Sequence, residues 1–139
     1  MLAKHLHQDK IKNLILLKYQ IFIKGNSINM TDAKLISYTI NDFSTEIEME
    51  SFLHFLEKHG DEFYKKLKKH GLIRWRINQI WNKAGGFALS SIFEYKDQKA
   101  FKKSIEEIKK FQKEHENYFN KVNMKRTSSR SINMLDFNY

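Results

Sequence analysis

Cysteine is absent from this 139-residue chain. That removes disulfides, thiolate metal sites and a cysteine nucleophile, and leaves the redox compartment open. Arginine is scarce. Lysine and arginine total 25 against 16 acidic residues, for a formal net charge of +9, but Arg74, Arg76, Arg126 and Arg130 are the only arginines. A basic chain invites nucleic acid, yet base edges are read chiefly by arginine. The lysines fall beside glutamates, as in KKSIEEIKKFQKEHE, the pattern of a solvated helix face. A long apolar run is also missing. NLILLKYQIFI, interrupted by Lys18, is too short to span a bilayer, and no small-residue cleavage site follows it. No membrane span is expected, and the cytoplasm is the expected location. Ser-His-Asp spacing, a paired-carboxylate motif, HExxH and a glycine-rich phosphate loop are all absent. Gly85 and Gly86 precede a strand, whereas a phosphate loop precedes a helix. His5 and His7 have no third ligand beside them, so no metal and no cofactor are expected.

With 41% hydrophobic and 14% aromatic residues the chain is a folding sequence, of a length that suits one domain. Its organisation is read as an N-terminal extension over residues 1–31 and a domain over residues 32–139. The sheet pattern starts at strand one, after the polar link KGNSINM, so residues 1–29 are expected to be dispensable for the fold, and translation from Met30 is an alternative. Residues 33–41 (AKLISYTIN) alternate Ile36, Tyr38 and Ile40 against Leu35, Ser37 and Thr39, and form the first strand. Thr45 and Glu48 stand at capping-box spacing. They open a helix with Met49, Phe52, Leu53, Leu56, Phe63, Tyr64 and Leu67 on one stripe, stopped by Gly71.

The stretch GLIRWRINQIWNKAGGFALSSIFEYKD reads as a hairpin. Turning on residues 82–86, it sets Trp81 opposite Phe87, Trp75 opposite Phe93, Ile73 opposite Tyr95 and Ile77 opposite Ser91 on one face. Arg74 then faces Glu94, and Asn78 faces Ser90, on the other. That second face also holds Ile80, Ala88 and Ile92, more apolar than a solvent face requires. Asp97 caps a second helix carrying Phe101, Ile105, Ile108, Phe111, His115, Tyr118, Phe119 and Val122 at helical spacing. NMKRTSSR reads as a polar link, and SINMLDFNY as the last strand.

The order βαββαβ gives an α+β, ferredoxin-like fold: a four-stranded antiparallel sheet with two long helices on one face. From LISYTIN, FALSSIFEYKDQKAFKKS and EHENYF, residues 33–139 resemble the dimeric α+β barrel superfamily, and within it the antibiotic-biosynthesis-monooxygenase-like and NIPSNAP-like domains. The resemblance implies a homodimer whose sheets pack face to face around a barrel interior. Superfamily activities include cofactor-free monooxygenation, haem degradation, isomerisation and decarboxylation. On that reading the barrel holds a small apolar or planar ligand, contacted by Arg76, Asn78, Ser90, Ser37 and Thr39. A cofactor-independent monooxygenase would need a base, and His115 is the candidate, against a plain core histidine. Trp75 and Trp81 are read as core. Two other readings stand beside this one. An RNA-binding module shares the βαββαβ order, and a structural or partner-binding dimer would fill the interior with its own side chains.

Overall fold

The computed structural model describes residues 34–82 and 86–137, together with Gln8, Lys10 and Lys12. Apart from those three residues, the N-terminal extension lies outside the described residues. The elements are β1 (Leu35–Phe43), α1 (Glu46–Lys69), β2 (Leu72–Gln79), β3 (Phe87–Tyr95), α2 (Gln98–Glu114), α3 (Glu116–Lys121) and β4 (Met124–Ile132). They build one four-stranded sheet in the order β2-β3-β1-β4, antiparallel at every pairing. This is the ferredoxin-like arrangement. The sheet is open, however, with β2 and β4 as its two edges. A barrel requires a staggered sheet that closes, and here two central strands separate the edges, so the expected α+β barrel is corrected to an open sheet.

Local chemistry accounts for the helix starts. Thr45 Oγ1 accepts from the Glu48 amide at 3.2 Å while the Glu48 carboxylate accepts from the Thr45 amide at 3.2 Å, a completed capping box. Asp97 Oδ1 accepts from the Ala100 amide at 2.7 Å and opens α2. The inward stripe of α1 buries Met49, Phe52, Phe55, Phe63 and Leu67 against the sheet and α2. The core forms two clusters. One gathers Leu35, Phe63, Leu67, Leu72, Tyr95 and Ala100, and the other Phe43, Met49, Phe52 and Leu89.

Four expectations are corrected. Trp75 is a half-buried wall stacked 5.0 Å from Phe93, but Trp81 is 90% exposed and belongs to no core. The β2–β3 register holds from Arg74 to Gln79, yet an irregularity between Leu72 and Arg74 makes Leu72 the partner of Tyr95 and leaves Ile73 45% exposed. The second helix is not continuous, because His115 at φ −110°, ψ 25° leaves helical geometry and separates α2 from α3. The polar stretch after it is the fourth strand itself, paired with β1 from Met124 to Ile132. β4 shows no apolar alternation because it is an edge strand of polar residues, exposed between its ends, whose inward positions face the space between sheet and helices and not a packed core.

One buried group is unpaired. Tyr118 lies flat on Phe55, ring centroids 3.9 Å apart, and its buried hydroxyl has no hydrogen-bond partner among the described residues. Burial raises its pKa, with Ser51 pulling the other way without closing a hydrogen bond. An unsatisfied buried hydroxyl carries a desolvation cost, so Tyr118→Phe is expected to leave stability unchanged or raise it by about 1 kcal/mol. Urea denaturation measures this. A loss of stability would show that Ser51 does bond the hydroxyl in solution.

Candidate functional site

The sheet and the helices do not meet everywhere. Between them lies a cleft of about 220 Å³, and its lining follows from strand alternation. β1 points Ser37, Thr39 and Asn41 toward the helices, β3 points Ser91, Phe93 and Tyr95, β2 supplies Trp75, and β4 supplies Arg126, Ser128 and Arg130. The helices close it mainly with aromatic and aliphatic side chains, among them Phe63, Phe101, Ile108 and Phe111, with Gln112 as the polar exception. The result is a polar floor under an apolar roof, the composition of a site that holds a small apolar body by a few fixed polar contacts.

The floor is ordered by its own bonds. Trp75 Nε1 donates to Ser91 Oγ at 2.8 Å, fixing the indole as a wall. The Thr39 and Ser128 hydroxyls lie 2.9 Å apart across the β1–β4 pair. Arg126 Nε donates to Oδ1 of the buried Asn41 at 3.0 Å. Arg126 is exposed as a residue of an edge strand, yet burial of its guanidinium pushes its pKa down from the usual arginine value. Arg130 stands over the Phe101 ring, 4.9 Å from its centroid, as a cation–π contact. Burial pushes the Tyr95 phenol up to about 12, against the opposing pull of Ser104 and Arg130, so it stays protonated at neutral pH.

Of the site residues proposed from sequence, Ser37 and Thr39 are in this cleft and the others are not. Arg76, Asn78 and Ser90 occupy the alternate positions of β2 and β3, on the face turned away from the helices. His115 lies at the α2–α3 break, with its ring 4.4 Å from His59 and 5.1 Å from Phe55. It lines a separate small crevice of about 30 Å³ with His59, Glu62, Lys66, Glu107, Lys110 and Glu114. The sequence reading missed Asn41, Arg126, Ser128 and Arg130. Their signal was available in the alternation of Arg126, Ser128 and Arg130, a polar period of two hidden in what looked like a linker.

This placement removes the chemical basis for monooxygenation. That reaction, without a cofactor, requires a base beside the substrate. The cleft is lined by no carboxylate, imidazole or amine among the described residues, and its one phenol is a poor base at neutral pH. No group of three or more His, Asp or Glu residues able to hold a metal occurs among the described residues. No helix among them is long and apolar enough to cross a membrane.

The His59–His115 pair has a consequence for stability. Burial first, then the His115 and Lys58 charges, lower the His59 pKa below 6.5, with Glu62 opposing. A histidine depressed in the folded state binds its proton more readily when unfolded, so its cost appears as pH falls through about 6.5. Stability is therefore expected to decline from pH 7.5 to pH 5.5, and less steeply in His59→Gln. Urea midpoints at the two pH values, compared between wild type and variant, decide it.

A family model described as "Domain of unknown function (DUF6974)" matches residues 32–132. Two crystal structures of dimeric ferredoxin-like proteins from an uncultured marine organism are similar to this chain. One has a TM-score of 0.71 and the other 0.70, each at 28% identity, covering 76% of this chain and 99% of the other. A Bacillus cereus protein described provisionally as an antibiotic-biosynthesis monooxygenase has a TM-score of 0.51 at 9% identity, covering 77% of this chain and 99% of its own. At that identity it shares the fold alone. No curated protein matches. The expected membership among antibiotic-monooxygenase-like and NIPSNAP-like barrel domains is thereby overturned in favour of a ferredoxin-like family with an open sheet.

Proposed function

Since the chain belongs to the DUF6974 family, a domain of unknown function, we propose from its geometry that it is a homodimeric, non-catalytic binding protein that takes a small planar molecule into the cleft between sheet and helices. The observation that carries the reading is the contrast inside the cleft: an aromatic roof over a floor of Ser37, Thr39, Asn41, Ser91 and Ser128. A core filled only for stability gains little from that floor, because a buried hydroxyl or amide, even when bonded to its neighbours as most of these are, returns less free energy than an apolar side chain packed in its place. The volume, about 220 Å³, exceeds the roughly 150 Å³ of an engineered apolar cavity that admits benzene. One ring or two fused rings would fit.

The homodimer is supported by the outer sheet face. Ile36, Tyr38, Ile40 and Ile92 stand there half-buried around buried Ala88, and no helix among the described residues packs on that side. The two solved relatives at 28% identity are described as dimeric. An RNA platform is less well supported, because stacking platforms need several aromatic rings on the open face. Among the outward strand positions of the described residues Tyr38 is the sole aromatic.

The test uses Trp75 as reporter. Trp81→Phe removes the other, exposed tryptophan, after which the neutral planar probe 2-naphthamide should change the Trp75 emission saturably. Native mass spectrometry of protein purified from its own cell should retain a small molecule at one per protomer. Unchanged Trp75 emission together with an empty protein would overturn the cleft reading.

A further inference from the structure

The charges of the cleft are unbalanced, and that narrows the ligand. Arg126 and Arg130 both line it, and among the described residues no Asp or Glu does. Neither arginine has a salt-bridge partner among the described residues, whereas Lys34 on the same sheet pairs with Glu94 at 3.1 Å. Arg126 is the more committed of the two. Its Nε is tied to buried Asn41, which holds the guanidinium plane in place and leaves the terminal nitrogens as the donors that remain for a ligand. A guanidinium presents paired N–H groups in a plane that matches a carboxylate, and the match is strongest where water is excluded. Each guanidinium stands over its own ring, Arg126 5.9 Å from the Phe119 centroid and Arg130 4.9 Å from the Phe101 centroid. The two are four residues apart along one strand face, on the order of 13 Å at the backbone, so a small carboxylate is assigned to one of them, the one that Asn41 orients.

We propose that the cleft selects planar aromatic carboxylates, with the carboxylate seated on Arg126 beside the Thr39–Ser128 hydroxyl pair and the ring under the aromatic roof, pointing along the cleft toward Trp75. The proposal rests on the cleft-binding reading above and deepens it by naming the ligand class. A singly charged carboxylate is favoured over a phosphate because one guanidinium supplies one positive charge, and among the described residues lining the cleft no helix N-terminus supplies the backbone anion cradle that would balance a second.

The experiment compares 2-naphthoate with its neutral isostere 2-naphthamide by titration calorimetry and Trp75 emission in the Trp81→Phe protein. Naphthoate should bind about ten- to a hundredfold more tightly, the usual worth of a charge-assisted bond out of water. Arg126→Gln should remove that preference, read as the ratio of naphthoate to naphthamide affinity within the same variant. Arg130→Gln should keep most of the preference. Equal binding of the two probes would overturn the anion preference and leave the cleft reading standing. Binding of neither would overturn both. A preference that persists in Arg126→Gln would overturn the assignment to that residue, and tighter binding of 2-naphthyl phosphate than of naphthoate would overturn the carboxylate. Circular dichroism of each variant separates lost binding from lost fold.

Discussion

Gly71→Ala is expected to destabilise the protein by roughly 2–6 kcal/mol, the sum of backbone strain and overpacking. Gly71 ends α1 and starts the chain toward β2 at φ +111°, a conformation open to glycine and costly for any other residue. A Cβ there would lie 2.6 Å from the Ala100 Cβ, a distance at which one of the two must move. Neither is free to. The Gly71 amide donates to the Lys68 carbonyl at 3.1 Å, and its carbonyl accepts from the Lys96 amide at 3.0 Å. Ala100 is 3% exposed, and its amide is held by Asp97. Against a typical stability of about 5–15 kcal/mol, the loss should lower the melting temperature by about 10 °C or more. Ala100→Gly in the Gly71→Ala background should recover the packing share and leave the backbone share. Gly60→Ala is the contrast, since its Cβ would meet only the Trp75 ring at 3.3 Å within a helix that gains from alanine. It should change stability by less than about 1 kcal/mol. A Gly71→Ala protein melting within a degree or two of wild type would contradict the argument.

The same residues show what the sequence could and could not reveal. Thr45, Glu48, Asp97 and Gly71 act locally, through bonds that close within a few residues, so the helix ends were legible from spacing alone. The hairpin register from Arg74 onward was legible because aromatic met aromatic and Arg74 met Glu94. The irregularity at Ile73 was not, since nothing in LIRWR distinguishes an extra residue from a paired one. The site was mostly hidden for a related reason. A strand is recognised by an apolar face, and β4 turns Arg126, Ser128 and Arg130 toward a cleft in place of a core, so it resembled a linker. His115 misled in the opposite way. Its place on the apolar stripe suggested the interior, but the helix breaks at that residue and the ring packs between Phe55, Phe111 and His59, away from the sheet. Periodicity extrapolated across a break cannot report which side a ring falls on.

Ile40→Asp is expected to convert the proposed homodimer to folded monomer. Ile40 lies on central β1, its cross-strand neighbours on the outer face being Ser90 on β3 and Thr127 on β4. Both neighbours are uncharged, so an aspartate there would find no cation directly opposite in its own sheet. Ile92 is a poorer choice, because Arg76 stands directly across from it and would neutralise an introduced carboxylate. In a sheet-to-sheet interface the new charge would have to give up water without a counter-charge, a cost of several kcal/mol. Each 1.4 kcal/mol weakens association tenfold, so the dimer constant should rise by about a hundredfold or more. The fold should survive, since both core clusters lie on the opposite face, against the helices. Lys109→Asp, at an exposed position of α2 and away from the outer sheet face, is the control and should remain dimeric. Sedimentation velocity at micromolar protein, paired with far-ultraviolet circular dichroism, reads both properties at once. Wild type sedimenting as a monomer would remove the dimer, and a dimeric Ile40→Asp would show that association uses some surface other than this face. Because the cleft lies on the helix side of the sheet and Ile40 is not in its lining, Ile40→Asp should also bind naphthoate with unchanged affinity, which separates assembly from ligand binding.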